Sequence, residues 1–295
     1  MSLIDFVLNL VALLLWLNWR AVRLIAAMQP SVLSLASALK KAEPRRPNRW
    51  VYLGVLVALI VLRSAFYWQV GPSVQWIPTI HLGAIALHFR SDFFGRALLF
   101  SVFSFVVTLA VFYLWLILLS LVNRTVPNSD PLQRIIRLQL GGLEQWPVVG
   151  RLALVPLLVG TLWALLHQPF ARLGLIAPSS SAAELCQQAG IVGLGSFLAW
   201  KYLIVAILFA HIVNSYVYLG NSPAWNFVTV TARNLLRPLR WLPLGIGKAD
   251  FAPLVGIALV WALAWLYARQ LTTLFQTPPP RGPGAFNTWC NASTS

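Results

Sequence analysis

Between residues 97 and 122 the chain carries no charged side chain. Five further runs, at residues 4–19, 51–68, 148–166, 191–220 and 251–267, hold at most one Lys, Arg, Asp or Glu each. A helix of roughly 20 apolar residues spans the hydrocarbon of a bilayer. Inside that medium each backbone N–H and C=O must be satisfied without water, which leaves helices and closed barrels. Barrel strands alternate apolar and polar residues, and these runs are continuous. They therefore predict an all-α integral membrane protein with about six transmembrane helices, the fifth run being too long to be core throughout. Only 10% of residues are charged, against about 25% in soluble domains. Mean hydropathy is +0.74, and the 14 Trp suit the bilayer interface.

The formal net charge is +15, yet the basic residues lie in short loops and no nucleic-acid recognition motif accompanies them. The charge reads instead as the positive-inside signal and as attraction to anionic lipid heads. The loops after the first, third and fifth runs, with Arg151 just beyond the second of them, hold fifteen of the 22 basic residues. Those loops are therefore expected to be cytoplasmic, with both termini facing away. A signal peptide opens with positive charge, whereas Met1 to Phe6 has no Lys or Arg and contains Asp5. The two cysteines, Cys186 and Cys290, form no CxxC or Cys/His cluster, which argues against zinc or iron–sulfur chemistry. Both are expected on the outer side, where a disulfide is open to them.

Three loop segments repeat apolar residues at helical spacing but are too short or too charged to span. Residues 30–41 align Val32, Leu35, Ala36 and Leu39. Residues 131–140 align Leu132, Ile135, Ile136 and Leu140, with Gln133, Arg134 and Arg137 opposite. Residues 226–241 align Phe227, Val230, Leu235 and Leu239, with Arg233, Arg237 and Arg240 outside that stripe. They read as short cytoplasmic amphipathic helices lying at the head groups, or as helices packed on neighbouring loops. Residues 43–48 (EPRRPN) form a Pro-interrupted basic hinge. Residues 71–89 fit no clean period and are expected to be irregular or briefly extended. Residues 277–295 are rich in Pro, Gly and Ser and are expected to form a mobile tail. Ser91 or Asp92 is the expected cap of the third span.

Two parts of the chain share one plan of span, basic amphipathic helix, then proline at the mouth of the next span. One covers residues 91–170, the other 189–276, after a two-span region over residues 1–90. Both have the same orientation, which makes a parallel repeat. The second part reads Leu235, Leu236, Arg237, Pro238, Leu239, Arg240, then Pro243, Gly245 and Gly247, then Asp250, Phe251, Ala252 and Pro253. This resembles the YggT family, whose pattern is Leu-Arg-Pro-x-Arg, Pro, a Gly-rich turn and Asp-x-Ser-Pro before a span. Ala252 stands where the family has Ser. The likeness covers about 45 residues of the second part; the first part lacks Arg-Pro-x-Arg and has only a weak echo from Glu144 to Pro147.

Elementary chemistry reads the same stretch independently. Pro238 removes a donor and ends or bends the helix. Arg233, Arg237 and Arg240 are free to reach phosphates, and Pro243, Gly245 and Gly247 give a tight return. Asp250 can cap the last helix, and Pro253 is tolerated in its first turn. These nine residues form the candidate docking loop for lipid heads or a partner membrane protein; an orienting turn without a ligand explains most of them equally well.

Within the spans, Lys201 and Arg63 are expected to snorkel to an interface, and His211 and Asn214 to make interhelical hydrogen bonds. His81 and His88 lie in an outer loop with no carboxylate or cysteine near them in sequence. Ser101, Ser104, Thr108, His211 and Asn214 are too sparse for a polar path. No catalytic, cofactor-binding or metal-ligating set is apparent. The resemblance implies a non-enzymatic protein of a bacterial inner membrane, assisting the assembly or organisation of membrane complexes or the envelope. The alternative is an oligomeric channel or small-solute transporter. Expected partners are anionic lipid heads, another membrane protein or further copies of the chain, and no nucleic acid.

Overall fold

The computed structural model describes residues 2–28, 48–71, 73, 78–82, 85–89, 93–124, 131–176, 179, 181–217, 222–239, 245–246 and 249–276. The amphipathic segment at 30–41, most of the hinge at 43–48, the proposed caps Ser91 and Asp92, and the tail lie outside these residues. Helices α1 (Ser2–Met28) and α2 (Arg49–Val70) precede two short strands, β1 (Thr79–Leu82) and β2 (Ile85–His88). Then come α3 (Phe94–Val122), α4 (Pro131–Leu140), α5 (Val148–Arg172), α6 (Ala182–Gly195), α7 (Trp200–Tyr216) and α8 (Pro223–Leu235). The strands β3 (Gly245–Ile246) and β4 (Ala249–Asp250) lead into α9 (Ala252–Gln276). α1, α2, α3, α5, the α6–α7 pair and α9 give six segments long and apolar enough to cross a membrane. Many of their apolar side chains are exposed, among them Val149, Leu157 and Leu165. Such a surface suits lipid as solvent.

The helix boundaries follow local chemistry. Asn48 caps α2 by accepting from the Trp50 amide at 3.3 Å. The fifth span begins at Ala182, nine residues earlier than apolarity alone indicated. Ser181 caps it by accepting from the Glu184 amide at 3.2 Å, and Glu184 sits favourably in the first turn. The polar residues Glu184, Gln187 and Gln188 hide this opening turn from a hydropathy count. A 3-10 turn at Ser196–Ala199 joins α6 to α7. α8 opens with Ser222 as cap and Pro223 at its first position.

The molecule divides into two compact units. The first comprises Met1–Ile80 and His88–Phe112; the second comprises His81–Leu87 and Tyr113–Ser295. In the first, Ala12, Leu56 and Phe105 form a core flanked by Trp16, Leu59 and Ile60. At one end, Phe100 packs edge-on to Tyr67, with ring centroids 5.9 Å apart, and Phe89 lies 5.6 Å from Phe100.

In the second unit, Ile207, Leu208, Ala232 and Leu236 form a core with Leu119, Leu203 and Ile257 around it. α5 and α6 cross closely. A Cβ at Gly193 would collide with the Pro156 carbonyl, and one at Gly160 would lie 2.8 Å from the Ala189 carbonyl. Small residues let spans approach where no hydrophobic force drives helices together.

Two expectations change here. α4 is a helix over the expected residues, but its buried face is Gln133, Ile136, Gln139 and Leu140, while Ile135 is exposed. Gln133 was expected opposite the apolar stripe. It is fully buried against the end of α3, where its Nε2 donates to the Asn123 carbonyl at 3.4 Å while its Oε1 has no hydrogen-bond partner. Arg63 is also buried rather than snorkelling, because side chains of α1, α2 and α3 supply acceptors to its guanidinium inside the span.

Candidate functional site

Helical spacing places Asp5 and Asn9 one turn apart on α1, and Arg63 and Tyr67 one turn apart on α2. These four side chains meet inside the first unit, joined by Ser104 of α3. Arg63 Nη2 contacts Asp5 Oδ1 at 2.9 Å, Nη1 donates to Asn9 Oδ1 at 2.7 Å, and Nε donates to the Tyr67 hydroxyl at 3.3 Å. Nη2 also reaches Ser104 Oγ at 3.3 Å. The Tyr67 hydroxyl donates to the same Asp5 oxygen, and Asn9 Nδ2 donates to Ser104 Oγ at 2.9 Å.

The guanidinium carbon lies 5.4 Å from the ring centroids of both Tyr67 and Phe100. The Arg63 side chain is only 3% exposed and that of Asp5 19%. An isolated charge in an apolar span is costly. Here all three nitrogens of the cation have acceptors, so stretching toward an interface would lose bonds. The sequence carried the signal as opposite charges in adjacent spans, each followed one turn later by a hydrogen-bonding residue.

The second unit has a neutral polar knot. Asn123, at the end of α3, donates from Nδ2 to Thr231 Oγ1 at 2.8 Å and accepts from Asn234 Nδ2 at 3.0 Å. Its carbonyl takes Gln133 Nε2 of α4. Asn123, Gln133 and Thr231 are fully buried. The knot ties the loop helices α4 and α8 to one span. Two indoles bond across α3 and α7: Trp115 donates to the Ala199 carbonyl at 2.9 Å and Trp200 to the Leu114 carbonyl at 3.1 Å.

The docking loop read from the sequence is placed in part. Arg233, Arg237 and Pro238 are exposed. α8 stops at Leu235, and a 3-10 turn follows at Arg237–Leu239, as a proline at position 238 requires. Gly245 pairs with Asp250 and Ile246 with Ala249 across an antiparallel return. Pro253 is buried in the first turn of α9. The Val255 amide bonds to the Phe251 carbonyl at 3.1 Å, so Phe251 holds the cap position and Asp250 lies one residue outside it. Arg240, Pro243 and Gly247 lie outside the described residues. A cavity of about 570 Å³ beside Arg233 is lined also by Asn214, Trp225 and Thr229.

Asn214 makes an interhelical bond, from Nδ2 to Thr229 Oγ1 at 3.3 Å. The Lys201 ammonium sits 4.8 Å from the Tyr202 ring centroid and 5.3 Å from that of Trp261. These aromatic faces stabilise a cation at a partly buried site. His81 and His88 fall in β1 and β2. Cys186 is exposed on α6, and Cys290 lies outside the described residues. Among the described residues, no three His, Cys, Asp or Glu side chains cluster in a way that could hold a metal ion.

The fold defines a multi-pass, all-α membrane protein in which Asp5, Asn9, Arg63, Tyr67 and Ser104 bond to one another within the spans. Comparison with known proteins finds no matching family model, no matching curated protein and no matching solved structure.

Proposed function

We propose that the chain is a non-enzymatic membrane protein of the YggT type that assists the assembly or organisation of membrane complexes or the envelope. In this reading α3–α4–α5 and α7–α8–α9 are two copies of one span–helix–span unit. The lineage proposal rests on the residues from Leu235 to Pro253. The role is carried by one observation: Arg233 is exposed beside a cavity on α8, a helix held to the end of α3 through Thr231 and Asn234, and Arg237 is exposed on the 3-10 turn that follows it. A rigidly mounted cationic surface suits docking to another membrane protein or to anionic lipid. We place it in a bacterial inner membrane with both termini away from the cytoplasm.

A photocrosslinker at Arg237 in native membranes is expected to recover one specific membrane partner; recovery of lipid alone defeats the docking role. Labelling of a cysteine at Arg237 from outside intact cells defeats the orientation. The second reading is an oligomeric channel or transporter, favoured by the Asp5–Arg63 pair within the spans, since intramembrane charges often mark ion pathways. It requires purified protein in liposomes to pass an ion or osmolyte above empty-vesicle leak.

A further inference from the structure

A second cavity, of about 250 Å³, opens where α3 ends and α5 begins. Its charged lining is Arg124, Arg137, Arg151 and Glu144. Glu144 is already engaged, its Oε1 lying 2.8 Å from Arg137 Nε. The remaining formal balance is cationic, from Arg124 and Arg151. Arg124 is exposed and makes no ion pair among the described residues.

Arg151 is the telling residue. It is 6% exposed, and its Nη1 donates to Ser120 Oγ at 3.0 Å. Its Nε is buried with no hydrogen-bond partner, although the side chain lines the cavity. A guanidinium presents its N–H groups in one planar fork that matches carboxylate or phosphate oxygens. A neutral hydroxyl satisfies only part of that fork and leaves its charge unopposed.

The backbone adds to the same field. Pro147 and Val148 line the cavity at the start of α5, and no side chain caps that helix. Its first amides and the positive end of its dipole favour an anion. Gly141, at φ 56°, turns the chain sharply after α4 and so brings Glu144 back beside Arg137. Basic pockets at the ends of spans suit phosphorylated head groups.

We propose that this cavity binds a phosphate oxyanion, held between Arg151 and Arg124 at the start of α5 and supplied by an anionic phospholipid head group or by free phosphate. The site does not depend on the assembly role. It lies on the first span–helix–span segment, which lacks the Arg-Pro-x-Arg element.

The test uses the full chain. Thermal unfolding is followed in nanodiscs of phosphatidylcholine, with and without inorganic phosphate against matched chloride, and in nanodiscs containing phosphatidylglycerol. A rise in Tm with inorganic phosphate assigns free phosphate. A rise with phosphatidylglycerol alone assigns the lipid head. Either is expected to weaken at least tenfold in apparent affinity in Arg124→Gln, an exposed change that leaves the fold intact, and further in Arg151→Gln. Arg172→Gln, exposed at the opposite end of α5 and outside the cavity, is expected to leave it unchanged. No rise with either anion overturns the proposal, as does a rise of equal size in Arg124→Gln, which would mark diffuse surface attraction only.

Discussion

Arg63 and Arg151 are both arginines buried in apolar spans, and their surroundings differ in kind. Arg63 has a carboxylate, an amide, a phenol and a hydroxyl on its three nitrogens, and aromatic faces beside it. Arg151 has one hydroxyl, an unpartnered Nε and a cavity. A cation closed off by its own protein fastens helices together. A cation left partly open in a cavity is suited to something from outside. Burial alone therefore does not separate a structural charge from a binding charge; the count of satisfied nitrogens does.

The largest effect expected is on the closed pair. Asp5→Leu strands the Arg63 cation and is expected to destabilise the first unit by about 3–5 kcal/mol, read by chemical denaturation in micelles. Combining Asp5→Leu with Arg63→Leu is expected to recover most of that loss, because replacing a buried pair by apolar groups is often neutral. Failure of the double variant to recover would give the pair a role beyond cancelling charge.

Arg151→Met sharpens the contrast from the other side. It removes an incompletely satisfied cation, so the expected change in stability is within about 1 kcal/mol, while any phosphate-dependent rise in Tm disappears. A loss as large as that of Asp5→Leu would erase the distinction between the two arginines.

The neutral knot should fall between these cases. Asn123→Ala breaks bonds to Thr231 and Asn234, and interhelical bonds of this sort in a membrane are worth about 0.6 kcal/mol each. The expected loss of about 1 kcal/mol is checked by the same denaturation. Smallest is Arg237→Gln on the exposed turn. It is expected to change stability by less than about 0.5 kcal/mol, with any effect confined to crosslinking yield.

Much of the scaffold was legible beforehand, for a physical reason. Bilayer thickness is a one-dimensional constraint, so an uninterrupted apolar run marks a span without knowledge of its neighbours. Pro238 ending α8 and Pro253 opening α9 are local in the same way. The opening of α6 was missed because its first turns are polar, although Ser181 and Glu184 supply a standard helix start. The hairpin at Thr79–Leu82 and Ile85–His88 showed only as an aperiodic stretch with hints of extension. Gln133 was misplaced because its burial depends on a carbonyl ten residues away, at the end of another helix.

The candidate sites divide along that line. The sequence by itself determined the class of molecule, the places where chain crosses from apolar to basic, and the exposed arginines of one loop. Tertiary structure alone decided which charges meet. Whether Arg63 snorkels or pairs depends on the rotation of α2 against α1 and on α3 supplying Ser104. Whether Arg151 is capped or left open depends on how α4 and Glu144 fold back toward α5. Those are angular and long-range relations among helices, and a linear pattern of apolar and charged residues does not encode them until the helices are packed.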